Sequence, residues 1–288
     1  YAAEARRIAA EARRRALPLV SRKGLVFERA LYGGRGLRAF DDLDFMTLPA
    51  HGPAVADMLR ALGFDGGKVD RLRGETVPHD RRRLVTYRLA PDHLPPFTRP
   101  AGDAFVTHVE VDVSLSFTWW GSEYDVPQAE AFATVVPVAT GDGEDLPAFS
   151  PAYQFVDAAL HLFREAFVEM PFQDRGNAVK LRSFLDVRLL VEGQAGAEAR
   201  RRLRETVHAL GIVRPVAWVL THVDRVFDSR TLDALGLHGA ISPDWAAGWR
   251  RMGGELAAWH GDMRRRLAEG GAVALAGAGA EGSRDAHA

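Results

Sequence analysis

Three aspartates, Asp41, Asp42 and Asp44, fall within four positions of the apolar run "LRAFDDLDFMTL", residues 37–48. Carboxylates move protons or hold hard divalent cations, and either task needs more than one of them facing a common point. Side chains alternate across a strand, so Asp42 and Asp44 share a face with Phe40 while Asp41, Leu43 and Phe45 take the other. The paired acids then stand about 7 Å apart at their roots. Asp41 is read as a strand-end or turn residue. A second stretch, "FVTHVEVDVSLSF" at 105–117, repeats the device. Its odd positions, from Phe105 through Val109, Val111 and Val113 to Phe117, are nearly all apolar, and its even positions are His108, Glu110, Asp112, Ser114 and Ser116.

Two unscreened carboxylates at that spacing repel by about 2 kcal/mol at an effective dielectric near 20. A bound divalent cation turns the penalty into attraction, and Mg²⁺ takes a few carboxylates together with substrate phosphate oxygens. Acids on two neighbouring strands therefore make a two-metal clamp for phosphoryl or nucleotidyl transfer. The competing reading of Asp42 and Asp44 is an edge strand charged against aggregation. Phe40, Leu43, Phe45 and Met46 around them argue for a more central strand. For Glu110 and Asp112 the competing reading is a merely wet sheet face.

The chain has 288 residues, 47% hydrophobic and 26% charged, as in an ordinary globular protein with a sizeable core. No run of 18 apolar residues exists, and the basic, helical start has no continuous apolar segment of a secretory signal, so a cytoplasmic protein without membrane contact is expected. The first residue is Tyr, not Met, which leaves open where the natural chain begins. With no cysteine there are no disulfides, thiolate zinc sites or cysteine nucleophiles. Residues 1–40 carry ten Lys and Arg against three acids, whereas residues 101–160 carry ten acids and no Lys or Arg. A basic surface followed by an acidic one suits an anion held through metal ions, or simply two solvated faces. Only Lys23, Lys68 and Lys180 are lysines among 37 basic residues, so each raises the question of a compact point charge.

The elements that must position these residues follow from periodicity. An Arg-rich amphipathic helix is expected over 2–16, a short strand at "LPLVS", a two-turn helix at "GLVFERALYGG", a strand at "RAFDDLDFMTL" and a helix at "HGPAVADMLRALGFDGG". "RLVTYRLA" and the second acidic stretch read as strands on either side of a Pro-rich loop, "ATVVPVA" as a last short strand, and "TGDGEDLPAFSP" as a linker. A helical half follows, with Phe155, Ala159, Phe163 and Phe167 on one stripe, and a Gly/Ala-rich tail over 269–288 is expected to be disordered. Read from residues alone, this is an α/β domain followed by a helical domain. Other motifs fail. "GGRG" lacks the context of a dinucleotide fingerprint and there is no P-loop. His51, His79, His93 and His108 show no metal-ligand spacing. Trp119 and Trp120 are expected in the core rather than lining an acceptor or base pocket.

The block "SRKGLVFERALYGGRGLRAFDDLDFMTLPAHGPAVADMLRALGF" resembles the signature of bacterial nucleotidyltransferases in the polymerase-β-like superfamily. The nearest pattern is a largely uncharacterised family with a Lys-Gly turn, a helix ending at Tyr, then Arg and Asp-x-Asp; "HLFREAF" and "KLRSFLDVRLLVE" fit its helical part. The resemblance covers roughly residues 19–190 and implies an α+β fold: a mixed sheet flanked by helices over 1–145, then a helical domain over 150–268. It implies that Asp42 and Asp44 are metal ligands, with Asp112 as third catalytic carboxylate and Glu110 as its alternative. Lys23, Gly24 and Arg38 would hold the triphosphate, and Lys180 and Arg182 would reach its outer phosphates or be surface cations. Asp186 is read as a partner of Arg182 before a general base, and His161 as a packing histidine. Two departures stand out: Lys23-Gly24 replaces the superfamily's Gly-Ser, and Ser114 replaces its usual His.

The activity so implied is transfer of a nucleoside monophosphate from an NTP to a hydroxyl or amine, releasing pyrophosphate. It would use two Mg²⁺ ions, with Mn²⁺ as the alternative, and a small-molecule or peptide acceptor before RNA. The other readings are a nucleotide- or partner-binding module without turnover and a toxin-like enzyme acting on tRNA. The basic N-terminal helix supports the last, and the net charge of −1 argues against a large nucleic-acid footprint. Which NTP, which acceptor and which oligomeric state are not written in the residues.

Overall fold

The structure is a computed structural model that describes residues 1–70, 75–101, 106–141, 143–168, 179–194, 196–250, 256–258 and 262–269. It divides into two compact units, Tyr1–Gln154 and Phe155–Ala288. The first unit opens with α1 (Ala2–Arg14), whose Ala5, Ile8, Ala9 and Ala12 recur at helical spacing and are buried. Its arginines lie on the wet side, where Glu11 pairs with both Arg14 and Arg15.

Eight strands follow in one mixed sheet: β1 (Leu19–Ser21), β2 (Asp42–Thr47), β3 (Asp65–Asp70), β4 (Glu75–Pro78), β5 (Phe97–Pro100), β6 (His108–Ser114), β7 (Val136–Val138) and β8 (Leu146–Ala148). Their order is β4-β3-β5-β6-β2-β1-β8-β7, with β2 parallel to β6 and β1 parallel to β8. The acidic strand β2 is therefore interior, hydrogen-bonded on both sides. That removes the charged-edge reading of Asp42 and Asp44.

Alternation then decides what the sheet's faces do. Leu43 and Phe45 of β2 and Val109, Val111 and Val113 of β6 enter a core with Ile8, Val55, Met58, Leu59 and Phe64. Besides α1 and a 3₁₀ turn at Pro49–His51, the described helices of this unit are α2 (Gly24–Ala30), α3 (Gly52–Ala61), α4 (Arg81–Leu89) and the one-turn α5 (Gln128–Phe132).

Three expectations are corrected here. Residues 83–90 belong largely to α4, not to a strand: Asp80 caps the helix by accepting the Arg83 N–H at 2.7 Å. The Pro-rich loop contains β5, which follows Pro96, ends on Pro100 and pairs with β6. The linker contains β8, which joins β1 and β7. Strands β3 and β4 had no counterpart in the sequence reading.

Helix α6 (Pro151–Phe167) carries the chain into the second unit, where α7 (Leu181–Glu192), α8 (Ala197–Ala209) and α9 (Val213–Phe227) follow. The short α10 (Thr231–Ala234) and α11 (Pro243–Ala246), a hairpin of β9 (Gly248–Arg250) and β10 (Leu256–Ala258), and α12 (Met263–Glu269) complete it. The stripe Phe155, Ala159, Phe163 and Phe167 is buried as its spacing requires. Phe163 and Phe167 stack on each other at 4.4 Å and meet Trp218 edge-on. His222 lies in this core and donates from Nε2 to the Ala246 carbonyl at 3.0 Å. Burial, more than any neighbouring charge, pushes its pKa down to about 3. No helix among the described residues is long and apolar enough to cross a membrane. The tail beyond residue 269 lies outside the described residues.

Candidate active site

The parallel pairing of β2 with β6 sets Asp42 opposite Glu110 and Asp44 opposite Asp112. Directly opposed residues of neighbouring strands point to the same face, about 5 Å apart. Four carboxylates thus occupy one patch of a sheet whose reverse side is core. Each ionised pair across the strands repels by about 3 kcal/mol at a dielectric near 20.

The strain shows in Asp42, whose pKa is raised from 3.8 to about 7. Desolvation contributes most, the charges of Asp44 and Asp112 add to it, Lys23 works the other way, and Glu110 adds a little. Asp41 precedes the strand and is exposed; its carbonyl accepts the Tyr1 hydroxyl at 2.9 Å.

Two cations lie in the turn and loop that flank α2, and one of them meets the acids. Lys23 brings its ammonium 3.4 Å from Asp44 Oδ1, and both side chains are nearly shielded from water, at 12% and 13% exposure. Lys23 also adopts φ 42° and ψ −122°, a left-handed backbone in a residue with a Cβ. Such a conformation costs of the order of 1–3 kcal/mol and persists only where the surroundings enforce it. Gly24 does not need its missing side chain for space, since a Cβ there would meet Asp42 O and Asp44 Oδ2 at an ordinary 3.5 Å. The backbone exception in this turn is the lysine. Helix α2, with Lys23 as its N-cap, has only seven residues, so positive charge beside the acids comes chiefly from side chains.

Arg38 stacks its guanidinium over Phe27 at 5.4 Å and donates to the Gly24 carbonyl at 3.3 Å. A residue that sequence reasoning missed holds it there. Glu28, buried on α2, accepts the backbone N–H groups of Gly36 and Arg38 at 2.5 and 2.7 Å. An acid on the apolar side of a helix that precedes a Gly-rich loop was its only signal.

A second missed residue is His93. Its Nε2 stands 3.9 Å from Asp112 Oδ2, and its Nδ1 stands 3.5 Å from Asp92 Oδ1. It bridges to Ser114 across the sheet. Asp92 Oδ2 also accepts the N–H of Trp120 at 3.3 Å. Trp120 itself is 64% exposed, against the expectation of core packing, while Trp119 packs edge-on to Tyr124 at 6.4 Å.

Among the described residues, no three His, Asp or Glu side chains are gathered tightly enough to enclose a metal ion as they stand. Asp44 leans on Lys23, and Asp112 faces His93. In donor type and charge the acids still fit a hard divalent cation, because the repulsion lodged in Asp42 is what such an ion relieves.

The remaining predicted residues lie in the second unit. Lys180 is the N-cap of α7, and Arg182 is in its first turn. Asp186 is buried on the same helix, and His161 pairs with Glu165 at 3.3 Å on α6. A cavity of about 690 Å³ beside α1, β1 and β7 is lined by Ala12, Leu17, Val20, Phe132 and Val136, with none of the four acids in its wall.

Among solved structures, the chain is similar to the antibiotic-resistance factor ANT(2'')-Ia in solution, at 19% identity over 70% of this chain and 88% of that one, with a TM-score of 0.38. It is similar also to crystalline ANT(2'')-Ia in complex with adenylyl-2''-tobramycin, at 18% identity over 73% and 96%, again at 0.38. Likeness at that level carries no argument about chemistry. None of the curated proteins compared with the sequence matches it. A family model described as uncharacterised nucleotidyltransferase matches residues 1–228, and the chain belongs to that family.

Proposed function

We propose that this nucleotidyltransferase moves an NMP from an NTP to a hydroxyl or amine of a small-molecule or peptide acceptor, with Asp42, Asp44, Asp112 and Glu110 as its metal-binding acids. The reading rests on one observation, the register that pairs Asp42 with Glu110 and Asp44 with Asp112 on a single face. Mg²⁺, or Mn²⁺ in its place, suits these oxygen donors, and its chemistry when bound is neutralisation of the carboxylates and polarisation of the triphosphate. Asp42 and Asp44, both ionised, would hold such an ion together with Asp112 or Glu110.

The chain's own groups do the rest. Lys23 and Arg38 hold phosphate oxygens, with the backbone of Arg38 fixed by Glu28. Gly24 is assigned to the phosphate cradle through its backbone. Asp112 is 30% exposed, more open than Asp44, and is the carboxylate that can meet an incoming acceptor. It takes the acceptor's proton as the new bond to α-phosphorus forms. The bond between α-phosphorus and the bridging oxygen breaks, and pyrophosphate leaves with the electron pair. Lys180 and Arg182 are assigned to the β- and γ-phosphates. Residues 1–145 form the catalytic core and 150–268 the helical domain of a cytoplasmic enzyme.

Incorporation of label from α-labelled NTP in the presence of Mg²⁺ tests the reading. D42N and D44N should each abolish it; retained activity in both would remove the acids from the mechanism. A second reading, nucleotide binding without turnover, is favoured by Lys23, whose ammonium already offsets the charge of Asp44. Calorimetry separates the two, because binding of Mg·NTP with no pyrophosphate release across an acceptor library supports only the second.

A further inference from the structure

The nucleotidyl-transfer reading leaves one side chain beside the acids without a task. His93 bridges Ser114 in antiparallel register. Backbone hydrogen bonds from Leu94 N to Val113 O at 2.9 Å and from Leu115 N to Asp92 O at 2.7 Å fix that pairing. Opposed residues of paired strands share a face, so His93 stands on the face of Ser114, which by alternation is the face of Asp112 and Glu110. Asp112 is then its diagonal neighbour, about 7–8 Å away at the root and within reach of a ring. The serine opposite is small, and the imidazole leans toward the aspartate.

The two ring nitrogens meet different groups. Nδ1 stands 3.5 Å from Asp92 Oδ1, and Nε2 stands 3.9 Å from Asp112 Oδ2. A neutral imidazole has one N–H and one lone pair. With the N–H on Nδ1, toward Asp92, the lone pair belongs to Nε2, the nitrogen beside Asp112. A carboxylate behind one nitrogen and a metal before the other is the usual setting of a metal-bound histidine. The spacing agrees: 3.9 Å is longer than a hydrogen bond, yet short enough for one ion to bond both atoms at about 2 Å. Asp92 is itself held, since its Oδ2 accepts the Trp120 N–H at 3.3 Å and its carbonyl accepts the Leu115 N–H.

We propose that His93 is a nitrogen ligand of the ion held by Asp112, with Asp92 as the carboxylate that orients the ring. This rests on the metal-binding reading of the acids. The remaining places around the ion go to Asp42, Asp44 and phosphate oxygens. A nitrogen donor also changes the choice of metal. Mg²⁺ favours a shell of oxygens, whereas imidazole suits transition metals, so the site prefers Mn²⁺ to Mg²⁺. His93 is thus a specificity residue for the metal.

The test is pulsed EPR of Mn²⁺ bound to the full chain together with inorganic triphosphate, a probe that carries no nitrogen of its own. The wild type should show a directly bonded ¹⁴N, replaced by the ¹⁵N pattern when histidine alone is ¹⁵N-labelled. H93Q and D112N should each abolish that signal, while H108Q, a change on the same face of β6, should leave it. H93Q should also weaken Mn²⁺ about tenfold and Mg²⁺ no more than about threefold, read by competition. D92N should keep the nitrogen signal and weaken Mn²⁺ about tenfold. Thermal melts report whether the variants fold, and the labelled wild type decides the matter even where one does not. Bound Mn²⁺ without a histidine nitrogen, a signal that survives H93Q, or equal losses of Mn²⁺ and Mg²⁺ affinity would overturn the proposal while leaving the acids as metal ligands. A wild type that binds no Mn²⁺ would overturn the metal reading of the acids, and this proposal with it.

Discussion

Asp42→Asn should make the first unit more stable while it ends catalysis. The carboxyl is pushed up from 3.8 to about 7 by desolvation first and then by Asp44 and Asp112. At about 1.4 kcal/mol per pH unit, that rise corresponds to a folded-state penalty on the order of 4 kcal/mol once the group is ionised. Asn keeps the shape and loses the charge, but its amide is still drawn out of water, which leaves a gain of roughly 2–4 kcal/mol. For a unit of this size, the gain should raise Tm by roughly 5–12 °C.

The pH dependence has a definite sign. Unfolded Asp42 loses its proton near pH 4, whereas the folded group keeps it until about pH 7. Across that window, rising pH favours the unfolded wild type, so the advantage of the variant opens between those values and is constant above them. Below about pH 4 that advantage should be gone. Calorimetric melts in chelator at steps from about pH 4 to pH 8 would show this. A variant no more stable than wild type at about pH 8, or a difference that fails to close toward pH 4, would refute the electrostatic account. Added Mg²⁺ should recover stability in the wild type far more than in the variant, with apparent affinity falling below about pH 7 as protons compete for Asp42.

Lys23→Met should reduce incorporation of label roughly 10²-fold, and Lys23→Arg should not restore it, because a planar guanidinium cannot replace a compact ammonium beside Asp44; steady-state kinetics would decide. Glu28→Gln, which turns an amide against the Gly36 and Arg38 N–H groups, should destabilise the first unit by about 1–3 kcal/mol and raise KM for NTP, read by urea melts and initial rates. His222→Gln keeps a donor toward Ala246 but cannot titrate. Because the folded histidine's pKa is depressed to about 3, wild-type stability is fully present above its unfolded value of 6.5 and falls by about 1.4 kcal/mol per pH unit below it. The variant should therefore resist acid unfolding of the second unit to lower pH, as followed by tryptophan fluorescence.

The acidic strands were readable because alternation on a half-buried sheet is a strict pattern: Leu43, Phe45, Val109, Val111 and Val113 are core and their neighbours are not. The register between those strands was not readable, since it depends on the crossover from β2 to β6 rather than on either strand alone. "RLVTYRLA" misled because Val, Thr and Tyr favour strands, whereas the capping carboxylate of Asp80 lies before the segment and sets a helix. His93 carried no local signal. Its place beside Asp112 comes from backbone bonds between Leu94 and Val113 and between Leu115 and Asp92, residues about twenty apart in the chain. Trp120 shows the reverse error, a bulky aromatic assigned inward on type alone when the turn around it faces water.

The ammonium of Lys23 beside Asp44 is a resident counter-ion. A protein so equipped should keep its shape without magnesium, in contrast to small zinc domains that fall apart when stripped. Preparation in EDTA should yield an intact, monodisperse chain, and dialysis back into magnesium should restore whatever activity the metal supports. Storage and crystallisation without divalent ions then become practical choices for this molecule.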